Sequence, residues 1–255
     1  MIDNKQLIEY SSKYKIDQYT ILREYIQLVF LNALYENKLS KDLIFKGGTA
    51  LRLAYTSPRF SEDLDFNCEL KIEELKNLLS VTLNKVSNIV PNIYSKEIIS
   101  LQGYSSKLYF KSNISTIPLT IKLDFSFREK SLDTFQTALS TELPMQVYSL
   151  INVFSTKEIL AEKFRTVFQR TKGRDIYDIW FLLNKKTELD LNMVNKKMKL
   201  INQKFNCIEF ESKLKQFEQK QLENDLYKFL PINQRAIVSN LIQLIIQDPQ
   251  VEGLS

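Results

Sequence analysis

The sequence of 255 residues contains no histidine, and this absence excludes more chemistry than any other feature of its composition. Ser-His-Asp and Cys-His nucleophile systems, histidine acid–base catalysis and histidine-ligated zinc are all ruled out. The two cysteines, Cys68 and Cys207, lie far apart in the chain and form neither a zinc knuckle nor a C-x-x-C redox motif. Catalysis would therefore use carboxylates, lysine, arginine, tyrosine or hydroxyl groups, and a hard metal ion held by oxygen ligands suits them.

Long apolar runs are also missing. The N-terminus carries early charges and no apolar segment, so it predicts no signal peptide. The most apolar stretches, residues 25–34 and 241–246, are too short and too interrupted to span a bilayer. A composition of 44% hydrophobic and 25% charged residues is typical of a globular chain. Since neither a signal peptide nor a membrane span is predicted, we expect a cytoplasmic protein with no membrane partner.

Glycine is scarce, with only five in the chain, yet Gly47 and Gly48 are adjacent. They follow the apolar run 43–45 and precede the helix-favouring residues 49–54, which predicts a strand, a glycine turn and a helix with Thr49 as its N-cap. The pair could form a plain tight turn, or it could let backbone amides approach a phosphate closely. The spacings of a Walker A loop and of a G-x-G-x-x-G fingerprint are both absent.

Two carboxylates, Asp63 and Asp65, are separated by one residue. In an extended segment both would face the same side, while Leu64 and Phe66 would turn into the core. Two acidic oxygens on one strand make a suitable ligand pair for Mg²⁺. A solvated strand edge is the ordinary alternative.

A third carboxylate, Asp124, lies on the polar face of the clearest strand of the sequence, residues 119–127, whose other face is continuously apolar. If this strand neighbours the one that bears the aspartate pair, three carboxylates converge and repel one another unless a cation binds. Two metal ions about 3.5–4 Å apart in such a site suit nucleotidyl transfer. The alternative is that Asp124 pairs with Lys122 or another cation.

The two halves of the chain differ in their periodicity. Helical spacing in residues 4–36 and 72–89, with a further short strand at 107–111, predicts an α+β half over residues 1–150. After Pro144 the pattern is helical, with a capping box of Ser155 and Glu158 opening one helix and Gly173 preceding another. We therefore expect a mixed sheet with helices in the N-terminal half and a helical C-terminal domain over 151–255.

These two helices carry charged residues on shared faces. Lys163 and Arg170 are seven residues apart on the first helix, and their charges suit triphosphate oxygens. Asp175 and Asp178 are spaced i, i+3 on the second helix. Read from the residues alone, salt bridges between the helices are the more ordinary interpretation.

Four motifs in this order carry a resemblance: KGGTALRLAY, RFSEDLDF, KLDF and EILAEKFRTVFQRTKGRDIYDIWFLL. Together they resemble the AbiEii/AbiGii toxin family of nucleotidyltransferases, within the polymerase-β-type superfamily. The resemblance covers about residues 40–185, and the helices after about residue 190 match no named motif.

The resemblance assigns roles to individual positions. It implies a nucleotide-binding loop at Gly47, Gly48 and Thr49, with Arg59 and Ser61 before the aspartate pair. It implies metal ligands at Asp63, Asp65 and Asp124. It implies a triphosphate contact at Lys163, with Arg174, Asp175 and Asp178 forming the R-D-x-x-D element, whose last aspartate is implicated in activity.

The function implied by the resemblance is a toxin that transfers a nucleotide from an NTP to an acceptor with Mg²⁺ or Mn²⁺. The expected acceptor is RNA, at the 3′ end of tRNA, the expected role is phage defence, and the expected protein partner is a cognate antitoxin. The C-terminal helices would then complete the active site. A metal-dependent nuclease and an inactive nucleic-acid-binding module are the alternatives.

The net charge of +5 is concentrated in residues 185–220, which contain nine lysines and five acidic residues. We expect this region, with Lys196, Lys197 and Lys199 at its centre, to hold the RNA backbone. A solvated helix face is the alternative.

Overall fold

The computed structural model describes residues 1–99 and 103–254, which form two compact units, Met1–Val153 and Phe154–Ser255. The first unit is built on a seven-stranded mixed sheet with the order β3-β4-β5-β2-β1-β7-β6. The strands are β1 Leu43–Lys46, β2 Leu64–Cys68, β3 Ile93–Ile98, β4 Gly103–Phe110, β5 Leu119–Ser126, β6 Thr134–Ala138 and β7 Leu150–Phe154.

Four α-helices accompany this sheet. They are α1 Asn4–Tyr14, α2 Gln18–Tyr35, α3 Gly47–Tyr55 and α4 Ile72–Ser87, with a 3₁₀ helix at Lys38–Asp42. The helical periodicity of residues 4–36 is divided between α1 and α2, because Lys15 adopts a left-handed conformation with φ of 52° and Asp17 caps the next helix.

One face of the sheet is the core face. Burial alternates along β5, where Leu119, Ile121, Leu123 and Phe125 are all at most 1% exposed. Leu64 and Phe66 are also fully buried, as their spacing predicts. The Phe66 ring stacks on Phe125 with its centroid 5.0 Å away, and α2 packs over β5. The polar residues between these positions therefore lie on the opposite face.

The prediction that Thr49 is a helix N-cap is wrong. Helix α3 starts at Gly47, directly after Lys46 at the end of β1, so Thr49 lies inside the first turn. Its hydroxyl group instead donates a hydrogen bond to the backbone oxygen of Asp63. The threonine thus joins α3 to the segment that carries the aspartate pair.

Three strands have no clear sequence signal. Strand β3 is an edge strand with only Ile93 buried, and β6 has no buried residue, so neither shows the alternation that predicts a strand. Strand β7, residues 150–154, lies where a helical pattern is expected. Strand β4 exceeds the predicted 107–111 segment because it begins at Gly103.

The second unit is helical, which confirms the predicted fold class. Its α-helices are α5 Thr156–Gln169, α6 Gly173–Asn184, α7 Leu191–Met198, α8 Cys207–Lys215, α9 Gln219–Leu226, α10 Leu241–Ile246 and α11 Pro249–Glu252. Ser155 caps α5 by accepting a hydrogen bond from the backbone N–H of Glu158. Within residues 1–99 and 103–254, no helix is both long enough and apolar enough to cross a membrane.

Candidate active site

A polar row crosses four adjacent strands on the face of the sheet opposite the core face. Asp65 in β2 lies opposite Asp124 in the parallel strand β5, and Lys46 in β1 lies opposite Asp65. Ser105 in β4 lies opposite Asp124 on its other side. Directly opposite residues point to the same face, so these side chains form one continuous line, which we call the acidic row. The strands of Asp65 and Asp124 are thus direct neighbours.

Asp124 is held by two hydrogen bonds. Lys122 Nζ lies 2.7 Å from one carboxylate oxygen, and the Ser105 hydroxyl donates to the other at 2.6 Å. Burial would raise the pKa of Asp124, but these hydrogen bonds and the charges of Lys122 and Lys46 outweigh it and hold the pKa below its usual value. Asp124 is therefore a stable anion at neutral pH.

Lys122 is the cation that the carboxylates share. Burial would lower its pKa, but its hydrogen bond to Asp124 and the charges of Asp124, Asp65 and Asp63 together raise it. The negative charges of all three aspartates thus stabilise the protonated form of Lys122. The sequence alternative in which Asp124 pairs with Lys122 is the arrangement that the structure contains.

The donor set suits a hard divalent cation, because Mg²⁺ prefers carboxylate oxygens. In the part of the chain that the structure describes, however, no three His, Cys, Asp or Glu side chains are grouped as a preformed metal site. A divalent cation would compete with Lys122 for Asp124, since both are positive charges for the same carboxylate.

The glycine turn packs directly against the acidic row. Gly47 has a φ of +77°, and a Cβ atom added there would lie 2.5 Å from Asp65 Oδ2. A Cβ at Gly48 would lie 2.3 Å from Arg59 Nη2 and 3.0 Å from Ser61 Oγ. Gly47 therefore requires glycine, because its φ is positive and the Asp65 carboxylate occupies the space of a side chain. A side chain at Gly48 would have to displace the Arg59 guanidinium group.

Arg59 places a buried positive charge beside this turn. The residue is only 2% exposed, and its Nη1 donates to the backbone oxygen of Phe60 at 2.9 Å. Ser61 is partly exposed, and its backbone oxygen accepts a hydrogen bond from Gln27 Nε2 at 3.2 Å. The N-terminus of α3 and the Arg59 guanidinium group thus both favour an anion at the glycine turn.

The second unit contains its own charged cluster, formed between α5 and α6. Lys163 Nζ lies 2.7 Å from Asp175 Oδ1 and 2.8 Å from Asp178 Oδ2. Lys163 is 7% exposed and Asp178 is fully buried. Because Asp175 and Asp178 are spaced i, i+3, one face of α6 presents both carboxylates to the same lysine.

Asp175 also binds a second cation. Arg170, the C-cap of α5, donates Nε and Nη2 to the two Asp175 oxygens at 2.8 and 3.1 Å. Burial would raise the pKa of Asp175, but the charges and hydrogen bonds of Lys163 and Arg170 outweigh it and hold the pKa well below its usual range. The guanidinium group of Arg174 lies 5.0 Å from the centroid of the Phe229 ring.

Not every lysine of residues 185–220 lies at the surface. The expectation that Lys197 contacts RNA is wrong. Lys197 is fully buried, and its Nζ lies 2.6 Å from Glu158 Oε1 in an ion pair between α7 and α5. Lys196 and Lys199, on either side of it, are exposed. Lys197 therefore serves the packing of the helical unit.

The sequence interpretation gives no role to two members of the acidic row, Lys46 and Ser105. Lys46 is the first residue of the KGGTALRLAY motif, but the motif does not show that this lysine faces Asp65. Ser105 belongs to β4 before its predicted start, and a serine has no pattern that reveals which aspartate it faces.

Comparisons with known proteins identify a family and similar folds. The profile of a family described as nucleotidyl transferase AbiEii toxin, type IV toxin–antitoxin system, matches residues 29–239. Among solved structures, the chain is similar to MenT4, a nucleotidyltransferase toxin from Mycobacterium tuberculosis H37Rv, with a TM-score of 0.67 and 14% identity, covering 100% of this chain and 91% of that chain. It is also similar to JHP933 from Helicobacter pylori, with a TM-score of 0.52 and 21% identity, covering 93% and 95%. The structural matches establish a shared fold, and the search of curated proteins gave no match.

Proposed function

The chain belongs to the AbiEii family of nucleotidyltransferase toxins from type IV toxin–antitoxin systems, and we propose that it transfers a nucleotide from an NTP to RNA. The proposed acceptor is the 3′ end of tRNA, with release of pyrophosphate. The observation that carries the proposal is the contact between the glycine turn and the acidic row. A phosphate-sized anion at Gly47 and Gly48 would lie beside Asp65, where a cation for that anion can be held.

Mg²⁺ or Mn²⁺ would be held by Asp63, Asp65 and Asp124, and when bound it supplies positive charge to the entering and leaving oxygens of the transfer. Asp124 stays ionised because its pKa is low, so it is a poor proton acceptor and a good partner for positive charge. Lys122 neutralises the row in the absence of the divalent ion, which keeps adjacent carboxylates from repelling one another.

The backbone amides at the start of α3 and the buried Arg59 would bind the phosphates of the NTP. Gly47 and Gly48 let the Asp65 carboxylate and the Arg59 guanidinium group lie against the start of α3, and Thr49 fixes the turn to Asp63 through its hydroxyl group. Ser61, whose hydroxyl lies next to Gly48, would donate a further hydrogen bond to the same phosphates.

We assign the cluster on α5 and α6 to the triphosphate. Lys163 would exchange one of its two aspartate contacts for a phosphate oxygen, and Asp178 would keep its ammonium group oriented. Arg174 would add a planar donor from the first turn of α6, since arginine suits bidentate contacts with phosphate.

The test uses the purified protein with Mg²⁺, each α-labelled NTP in turn, and total RNA. Label should enter RNA of tRNA size with the wild type. Asp65→Asn should abolish incorporation, whereas Glu73→Gln, which changes an exposed carboxylate on α4, should not. Shortened RNA without incorporated label would instead identify a nuclease, and absence of both would refute the proposal.

As a toxin of this family, the protein has an antitoxin as its genetic partner. We propose that expression without the antitoxin arrests growth through the same carboxylates and thereby contributes to phage defence. Asp65→Asn should then relieve the growth arrest, and full toxicity of that variant would separate toxicity from nucleotidyl transfer.

A further inference from the structure

A row of three lysines crosses strands β3, β4 and β5 of the sheet. Lys96 lies opposite Lys107, and Lys107 lies opposite Lys122. Directly opposite side chains in antiparallel strands share a face with Cβ atoms about 4.5–5.5 Å apart, and like charges placed this way are destabilising. We call these residues the lysine row.

The lysine row has tyrosines on one side and carboxylates on the other. Two residues along β4 in one direction, Tyr94 lies opposite Tyr109, with ring centroids 5.1 Å apart and planes within 8°. Lys96 Nζ lies 5.8 Å from the centroid of each ring. Two residues along β4 in the other direction lies Ser105, the first residue of the acidic row. Because each step of two residues is about 7 Å, the three rows are neighbours on one face.

The charges of the lysine row are only partly neutralised by the protein. Lys122 pairs with Asp124. For Lys96 and Lys107, no ion pair with a carboxylate forms within residues 1–99 and 103–254. The face is also open, since Lys96 is exposed, Lys107 is half-buried and Tyr94 is 45% exposed. An anion from outside the protein would therefore relieve the repulsion.

We infer that this face binds the single-stranded end of the RNA acceptor, an inference that rests on the proposed nucleotidyl transfer to RNA. The phosphates lie on Lys96 and Lys107, the bases stack on Tyr94 and Tyr109, and the terminal hydroxyl reaches the acidic row. Cations that track the backbone beside exposed aromatic rings are the combination that single-stranded nucleic acid sites use. An acidic polypeptide would pair with the lysines and leave the rings without a role.

The first test is the binding of a labelled single-stranded RNA to the K96Q/K107Q variant, followed by fluorescence anisotropy between about 50 and 200 mM salt. Loss of two phosphate contacts should lower the slope of log affinity against log salt by about 1.4, because each contact on a single strand contributes about 0.7. The wild type should thus lose about sevenfold more affinity than the variant over this range. K38Q/K41Q, which removes two exposed lysines of the 3₁₀ helix between α2 and β1, is the matched control and should leave the slope unchanged.

The variant also tests whether the lysines are structural. Removing opposed like charges should leave the melting temperature equal to or above that of the wild type. A lower melting temperature would mean that the lysine row stabilises the sheet, and it would overturn the inference.

The tyrosines give a second, independent readout. Tyr94→Leu with Tyr109→Leu removes the rings without changing charge, so RNA affinity should fall by about fivefold or more while the salt slope stays the same. If this variant bound RNA as tightly as the wild type, the bases would not stack on these tyrosines and that part of the inference would be wrong.

The remaining outcomes separate this inference from the proposed function. If K96Q/K107Q binds RNA as the wild type does, or loses affinity for polyglutamate but not for RNA, the inference is wrong, whatever the enzyme transfers. If the wild type binds RNA through this face but incorporates no label from any NTP, the proposed function fails and the binding surface stands. If the wild type binds no single-stranded RNA, the inference is overturned.

Discussion

Replacing Lys197 with methionine should destabilise the protein strongly, although the residue lies within a run of lysines that would ordinarily face solvent. Lys197 is fully buried, its Nζ is 2.6 Å from Glu158 Oε1, and it lies 4.8 Å from the centroid of the Phe154 ring. Removing one partner of a buried ion pair takes the nearest counter-charge away from the other and costs about 3–5 kcal/mol.

The magnitude can be measured by thermal unfolding followed by circular dichroism. A change of 1 kcal/mol shifts the melting temperature by about 2–4 °C in a chain of this size, so Lys197→Met should lower it by about 6–20 °C. Lys196→Met removes an exposed charge from the adjacent position of α7 and should change stability by less than about 0.5 kcal/mol.

A double variant separates the buried charge from the loss of packing. Glu158→Leu combined with Lys197→Met removes both charges, so it should recover most of the lost stability, since apolar replacements of a buried pair are often neutral or stabilising. The reasoning would be refuted if Lys197→Met melted within about 2 °C of the wild type, or if the double variant were less stable than either single one.

Three further predictions concern the two charged clusters and the glycine turn. Asp65→Asn should change the melting temperature little, because the repulsion from Asp124 and the attraction to Lys46 and Lys122 are lost together; a large decrease would mean that Asp65 stabilises the sheet. Gly47→Ala should lower the free energy of unfolding in urea by at least about 1–2 kcal/mol, because φ is +77°; Gly253→Ala, at a terminal position with negative φ, is its control. Asp175 has a lowered pKa in the folded protein, so its contribution to stability is present above its unfolded pKa of about 3.9 and is lost as the pH falls through its folded pKa. The stability difference between the wild type and Asp175→Asn should therefore shrink on acidification below about pH 4, and a constant difference would contradict the assignment.

Local periodicity made several elements predictable from the sequence. The alternation in residues 119–127 predicts β5 and its buried face, and the i, i+2 spacing of the aspartate pair predicts that Leu64 and Phe66 enter the core. These predictions depend only on the repeat of a strand, which each segment carries within itself. The same alternation does not identify β3 and β6, because an edge strand exposes both of its faces.

The absence of histidine and the four family motifs by themselves limit the chemistry that the chain can perform. They direct attention to Asp63, Asp65 and Asp124 and to a lysine on a helix. They also leave two alternatives for Asp124, a metal ligand or a partner of Lys122, because spacing along the chain does not reveal which charges meet.

Only the tertiary structure decided which residues lie side by side. The strand order places β2 between β1 and β5, and this order makes neighbours of Lys46, Asp65 and Asp124. It likewise aligns the lysine row from three strands. The buried pairing of Lys197 with Glu158 is equally invisible in the sequence, where every lysine of residues 185–220 is expected at the surface. Register and burial depend on contacts between segments distant in the chain, so they follow from how the whole fold packs and not from any local pattern.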